Sequence, residues 1–421
     1  MSGRIVVFEH QTLKLGQENL GANFDEDKLK ALQKFYGDKG VPYFNLVHKG
    51  VRFTEYVGVI QVGNLVIEVL PKADNSTINE DGKDKWREVL IKMLSAVGMF
   101  EIHAPSSSSL KLKANSILDL YFELFINEIE SLLHLGLVKQ YRKKEGNVTA
   151  LKGSLQFSKQ IQQNLTHQER FYVDYSTYDV EHKLHFILYK TIRLLKQINT
   201  NSSLHSRIGA LLLHFPEMPD IKVSEATFEK LIFNRKTQSY KKAIDIAKLL
   251  LLKYHPDVSY GRSNVLALMF DMNLLWEKFV YVTLQKYKTG NSKLTPQTTK
   301  LFWQPEGGAR SKIRPDILIK HETLGCVVLD TKWKNLNGKN PSPEDLRQMY
   351  VYHKYYDAKQ VALVYPGSKS VKSGYYLDPD NGTKTTNKCG VISLSPSIDI
   401  KQWQKDISDD IHQWMNSLIP V

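Results

Sequence analysis

Cysteine is almost missing. Cys326 and Cys389 are the only two in 421 residues. Their spacing matches no metal-ligand pair, which excludes a cysteine-built zinc site, and such sparse use fits a reducing compartment. No GxxxxGK run followed by Ser or Thr occurs, so this chain itself is not expected to bind nucleotide through a P-loop. GxGxxG and HExxH are absent as well. Long apolar runs are lacking: the one ending in AKLLLLKY falls far short of a membrane span. The opening MSGRIVVFEHQ carries no apolar signal core. A soluble, cytoplasmic chain with no membrane association is expected. Neither an internal repeat nor a long low-complexity tract is present.

What is present is enough material for several cores. The length exceeds one ordinary domain. Apolar residues make up 42% and charged residues 24%, a globular balance that argues against wholesale disorder. The net charge of +13 favours an anionic partner, nucleic acid or an acidic protein face. The plain alternative is a basic, solvated surface.

Along the chain, RIVVFEH reads as a strand and FDEDKLKALQKFYGD as a short helix with Asp25 as a cap. VRFTEYVGVIQVGNLVIEVLPK reads as two β-runs turning at Gly63-Asn64, with Pro71 ending the second. ADNSTINEDGKDK is a polar loop. WREVLIKMLSAVGMF and SILDLYFELFINEIESLLHLG have helical periodicity, separated at Ala104-Pro105 and Ser106 to Ser109, with Gly136 as a stop. A basic segment follows, then the alternating strand FYVDYSTYDV. KLHFILYKTIRLLKQI, ATFEKLIFNRK and SYKKAIDIAKLLLLKY read as helices, with HFPEMPD as a linker. Past His255-Pro256, NVLALMFDMNLLWEKFVYVTLQKY reads as one helix with Leu268, Met272, Leu275, Phe279 and Val282 on its seam. The remainder alternates strands and helices, which points to an α/β domain. Three regions are expected: 1–137, mixed β and helical; 138–255, basic β and helical; and 256–421, α/β.

The chemistry concentrates between Ser311 and Pro366. IRPDILIK and CVVLDTKWK read as paired strands, PEDLRQMYVYHKYYD as a helix and QVALVYP as a closing strand. Asp330 and Lys332 are two apart, so they share one strand face about 6–7 Å apart, with Thr331 and Trp333 on the other. If the strands pair, Asp316 approaches Asp330. Two such carboxylates repel unless a cation sits between them. Mg²⁺ suits that place, since it takes hard oxygen ligands and keeps waters. Lys332 would orient an attacking water or stabilise the transition state. Asp316, Asp330 and Thr331 are the candidate metal ligands. On the helix, Asp345, Gln348, Tyr352 and Tyr355 share a face. Gln348 is a candidate for holding water or a phosphate oxygen, and Tyr352 for bonding a DNA backbone. Glu277 is a candidate third carboxylate, set against an ordinary surface glutamate off the apolar seam. The plain alternatives elsewhere are an exposed strand pair for Asp330 and Lys332 and a solvated helix face for Gln348. Asp330 argues against the first, because a charge ending a central strand is costly without a purpose. His182 and His185 read as structural, and the basic run Lys139 to Lys144 as either a phosphate contact or a solvated loop.

RPDILIK, VVLDTKWK and DLRQMYVY form a PD-(D/E)xK pattern in strand, strand, helix order. This stretch resembles the McrC family, nuclease subunits of McrBC-type modification-dependent restriction systems. VGVIQVGNLVIEVLPK, WREVLIKMLSAVG, HLGLVKQY with LKGSLQFSKQI, and FDMNLLWEKFV look McrC-like too, so the resemblance covers most of the chain. It implies a multidomain α/β protein: a mixed β/helical amino-terminal region that docks on a partner, and a carboxy-terminal restriction-endonuclease-like domain. It implies an McrB-like AAA+ GTPase hexameric ring as partner, with GTP bound by that partner. It also implies stimulated GTP hydrolysis, cutting of double-stranded, methylcytosine-containing DNA in anti-phage defence, and self-association through nuclease domains. Asp316, Asp330 and Lys332 match the catalytic positions, and Gln348 and Tyr352 the helical motif. Two alternatives stay open: a non-catalytic, GTPase-activating assembly subunit, and a free-standing repair nuclease, because Gln-x-x-x-Tyr also occurs in RecB-related exonucleases.

Overall fold

The computed structural model describes residues 3–16, 24–72, 80–98, 116–255, 264–288, 292–322 and 324–417. The expected separator at Ala104-Pro105 and Ser106 to Ser109, residues 73–79 of the expected loop ADNSTINEDGKDK and the boundary residue Pro256 lie outside them; the rest of that loop is instead the start of helix Glu80–Ala96, since an acidic stretch suits a helix amino terminus. The chain forms two compact units. One runs over Leu112–Leu268; the other joins Gly3–Lys111 to Met269–Val421. The three consecutive regions expected from the sequence therefore group the chain differently. Strand and helix packing is not bound to sequence order, and no local signal tells that residues 3–111 close on the carboxy-terminal segment. Among the described residues no helix is long and apolar enough to cross a membrane.

The first unit is mainly helical. Helix Ile117–Leu135 is capped by Ser116, whose hydroxyl accepts from Asp119 N, and ends at Gly136. Lys183–Ile198 lies against Ser202–His214 and Lys241–Lys253. The helix Ser202–His214 was not expected; Asn201 caps it by accepting from Ser203 N. The expected helix ATFEKLIFNRK shrinks to Glu225–Glu229, because Ile232 beyond it is 89% exposed and finds no core. A small antiparallel sheet pairs Gln140–Val148 with Phe171–Asp179. Within it Arg142 and Lys144 face Asp179 and Glu181, so the basic run is partly neutralised. His185 is fully buried and bonds Val180 O and the Tyr240 hydroxyl, which is the structural role expected. Burial lowers its pKa to about 4 and keeps it neutral.

The second unit contains the chemistry. Gly3–Phe8 pairs in parallel with Leu65–Leu70, and Tyr56–Val62 pairs antiparallel through the expected Gly63-Asn64 turn. Asp25 caps helix Glu26–Tyr36 by accepting from Lys28 N, as expected. Past residue 264, across Leu268 where the first unit gives way to the second, the expectation needs correction. Val265–Asp271 is a strand and the helix is only Met272–Lys286. Val265 to Met269 are all buried, which made a fully covered strand look like a helical seam. Asp271 starts the helix by accepting from the backbone of Asn273 and Leu274.

A six-stranded sheet runs in the order Lys293–Pro296, Ile317–His321, Gly325–Thr331, Ala358–Pro366, Lys384–Leu394, Ser370–Leu377. The central neighbours Gly325–Thr331 and Ala358–Pro366 are parallel, and helix Pro343–Tyr356 makes the crossover that parallel pairing requires. Leu318, Val328, Val361 and Leu363 pack with Met349, Tyr352 and Tyr356 of that helix. Residues of the other parity, Val327, Leu329, Ala362 and Val364, are also fully buried. Helices Met272–Lys286 and Ile400–Asn416 lie against the sheet too, and Trp276 Nε1 donates to Val364 O at 3.3 Å.

Candidate active site at the end of a central strand

Three buried apolar residues, Val327 to Leu329, lead into Asp330, which is 1% exposed. The strand ends at Thr331, but Lys332 N still donates to Val364 O at 3.0 Å. That bond keeps the alternation for one more residue. The Lys332 ammonium accordingly lies 2.7 Å from Asp330 Oδ2, the same-face placement expected. IRPDILIK is not one strand. Ser311–Ile313 and Ile317–His321 are separate, broken at Pro315, which has no N–H to give the ladder. Asp316 therefore sits just before its strand. Its Oδ2 accepts from Thr331 N at 2.7 Å and Thr331 Oγ1 at 2.8 Å. This corrects the expected strand alternation at Thr331: its side chain turns to Asp316 and orients that carboxylate.

The helix brings its own groups. Ser342 caps it and Pro343 occupies the first turn, where a missing N–H costs nothing. Gln348 Nε2 donates to Asp330 Oδ1 at 3.3 Å and to the Tyr352 hydroxyl at 2.8 Å, while its Oε1 accepts from Lys332 at 3.3 Å. Tyr352 is 2% exposed and donates to Arg314 O at 3.0 Å. Its hydroxyl is thus committed inside the protein, and the expected contact with a DNA backbone is not available to it. Asp345 pairs with Lys334 at 2.5 Å, and Tyr355 is exposed.

Glu277 is buried rather than a surface residue. Gln297 Nε2 donates to it at 2.7 Å, Gln297 N donates to Asp316 O at 3.0 Å, and Gln297 Oε1 accepts from Arg314 at 3.3 Å. Gln297 holds this post with φ at +48°, a conformation uncommon outside glycine. Sequence reasoning missed it, and no motif marks it. Also missed was Glu9, whose Oε1 accepts from Trp333 Nε1 at 2.8 Å and from Lys72 N at 2.7 Å.

The electrostatics are those of too much negative charge in too little water. Burial, then the charge of Asp316, push the Asp330 carboxyl up, and Lys332 pulls it back. Burial, then Asp316, also raise Glu277. Desolvation works against the Lys332 ammonium, but Asp330, Asp316 and Asp345 outweigh it and raise its pKa. Asp345 is different: burial opposes its charge, yet bonds from Lys334 and Ser342 win and lower it. Asp330 Oδ2 is buried with the Lys332 ammonium at 2.7 Å as its neighbour, which leaves a carboxylate lone pair free for a cation. Among the described residues no three His, Cys, Asp or Glu side chains stand together as a self-sufficient metal site. Two carboxylates with water and phosphate oxygens completing the shell is how Mg²⁺ is commonly held. The donor set therefore fits a hard divalent cation and does not fit zinc.

Fold and site together define a mixed α/β protein with a carboxylate and lysine cluster at the end of a central strand. The chain belongs to the family of McrBC 5-methylcytosine restriction system components, whose model matches residues 51–366. It is similar over 98% of its length, and over 100% of the other chain, to a chain of the half-complex from the tetradecameric assembly of Thermococcus gammatolerans McrB AAA+ hexamers with bound McrC, with a TM-score of 0.75 and 19% identity. A chain of the Thermococcus gammatolerans McrBC complex matches with a TM-score of 0.52 and 20% identity, covering 68% of this chain and 88% of that one. At these identities the likeness shows the fold alone. No curated protein matches the chain. The family expected from the sequence is the one found.

Proposed function

We propose that this chain is a metal-dependent DNA endonuclease subunit of the PD-(D/E)xK type, McrC-like, working with an McrB-like AAA+ GTPase ring. One observation carries the reading: Asp330, 1% exposed at a strand end, holds Lys332 at 2.7 Å while Asp316 and Glu277 crowd the same place with negative charge. Such a cluster lowers stability, and clusters of that kind concentrate where chemistry needs them.

Asp316 and Asp330 would hold Mg²⁺. The ion supplies a water of lowered pKa and screens charge on the phosphoryl oxygens. Thr331 fixes Asp316 with two hydrogen bonds to one oxygen. Gln348 fixes Asp330 and Lys332 against each other. The lysine ammonium, kept protonated by its acidic neighbours, meets negative charge developing on the phosphoryl group or orients the attacking water. Docking on the GTPase ring, stimulation of its GTP hydrolysis and cutting of methylcytosine-containing DNA belong to the same proposal. They are supported by the family match and by the likeness to a chain of an assembly of McrB hexamers with bound McrC.

The test is Asp330→Asn in the full chain, assayed with its GTPase partner, GTP, Mg²⁺ and methylated DNA. Cutting should fall by about 100-fold or more, with GTPase stimulation retained. A variant that cuts at the wild-type rate sinks the assignment. A wild-type chain that stimulates the GTPase and never cuts points to the assembly-subunit alternative. Cutting confined to linear ends points to a repair nuclease.

A further inference from the structure

Directly ahead of Asp316 the chain forms a two-stranded ribbon, Lys300–Trp303 against Ser311–Ile313, that the site described above does not use. All four residues of the first strand are exposed. Leu301 is 51%, Phe302 43% and Trp303 59% exposed, so three consecutive large apolar residues face water. Between 300 and 314 stand four cations, Lys300, Arg310, Lys312 and Arg314, against one carboxylate, Glu306. Among the described residues no carboxylate forms an ion pair with Arg310 or Lys312; Arg310 bonds Gln304, while Arg314 bonds Gln297 and lies near enough to Glu277 to favour its charge.

The base of the ribbon is fastened to the site helix. The single Tyr356 hydroxyl proton is shared between Thr298 O at 2.6 Å and Ile313 O at 3.0 Å, and Tyr352 donates to Arg314 O. Lys300 Nζ donates to Tyr355 O at 2.5 Å, and the Phe302 ring packs on Tyr355 at 5.2 Å. The arm thus has a fixed direction from Asp316, while its outer residues are left open. A contiguous exposed run of Leu, Phe and Trp beside cations marks an interaction surface and suits a partner that is both polyanionic and apolar in its grooves. A two-stranded β-ribbon also fits a DNA groove.

We propose that the ribbon Lys300–Ile313 is a duplex-binding arm. Arg310 and Lys312 take backbone phosphates beside the cut site, and Trp303 with Leu301 rests against the groove wall. The inference rests on the nuclease reading and adds the element that brings phosphate to a carboxylate-rich centre that would otherwise repel it.

The experiment measures binding of a short DNA duplex to the full chain by fluorescence anisotropy in Ca²⁺, across about 50–200 mM salt. Arg310→Ala with Lys312→Ala should weaken binding about tenfold at low salt and reduce the slope of log K against log salt by about 2. Trp303→Ala should weaken binding and leave the slope unchanged. The binding readout needs no cutting and Asp330→Asn is assayed for cutting alone, so a failure of catalysis is read separately from a failure of the arm. The arm is overturned if the wild-type chain shows no salt-dependent duplex binding, or if the ribbon variants bind with unchanged affinity and slope. It is equally overturned if they lose the GTPase partner and keep the duplex, which would make the ribbon a protein-docking element.

Discussion

Glu9 offers the sharpest test of the electrostatics. Burial pushes its carboxyl up from 4.5 to about 7, opposed by bonds from Lys72 N and Trp333. Its Oε2 is buried without a partner. Below pH 4.5 folded and unfolded chains both hold the proton, and the residue carries no penalty. Between 4.5 and 7 the unfolded chain ionises while the folded one keeps its proton, so stability falls as pH rises. Above 7 both are ionised and the penalty is full and constant. The gap from 4.5 to about 7, at about 1.36 kcal/mol per pH unit, sets a ceiling near 3 kcal/mol. Glu9 keeps partial contact with solvent, which brings the expectation to about 1–2 kcal/mol. Glu9→Gln preserves the acceptor for Lys72 and Trp333 and removes the charge. It should match wild type near pH 4.5 and exceed it above pH 7. Urea unfolding followed by tryptophan fluorescence reads the right body, since all six tryptophans lie in the unit that contains Glu9. A variant no more stable at pH 8, or a difference that does not change with pH, refutes the reasoning.

A Cβ on Gly390 would lie 2.5 Å from Trp414 Nε1 and 2.7 Å from its Cε2, so Gly390→Ala should cost about 1–3 kcal/mol through overpacking; an unchanged Tm would show that the ring is not wedged there. Lys332→Met removes the cation beside buried Asp330 and should cost about 1–3 kcal/mol, less than a fully buried pair because the lysine is partly exposed. Adding Asp330→Asn to it should recover most of that loss, and a double variant as unstable as the single one would contradict the charge argument.

Where the chain was legible, a local rule decided the matter. The two-residue period put Asp330 and Lys332 together, a Gly-Asn pair marked the hairpin at Gly63, and Asp25 announced its helix. Illegible features have distant causes. Glu9 and Trp333 are 324 positions apart, and Gln297 joins Glu277 to Asp316 without any pattern to betray it. Val265–Asp271 was misread because a strand buried on both faces has the same apolar density as a helix seam, and only the Asp271 cap separates the two. Tyr352 has the spacing of a functional residue, but only the fold reveals that Arg314 already occupies its hydroxyl.

The interrupted make-up of the second unit matters while the protein is being made. Leu112–Leu268 must leave the ribosome before the six-stranded sheet exists. At about 5–20 residues per second, the early hairpin Tyr56–Leu70 precedes the last strand of that sheet, which ends at Leu394, by roughly 16–65 s. Nearly every residue of that hairpin is buried in the finished fold, so the nascent chain displays a sticky, incomplete surface throughout the delay. Ribosome-bound chains stalled before residue 316 should therefore recruit chaperones, and full-length ones should not.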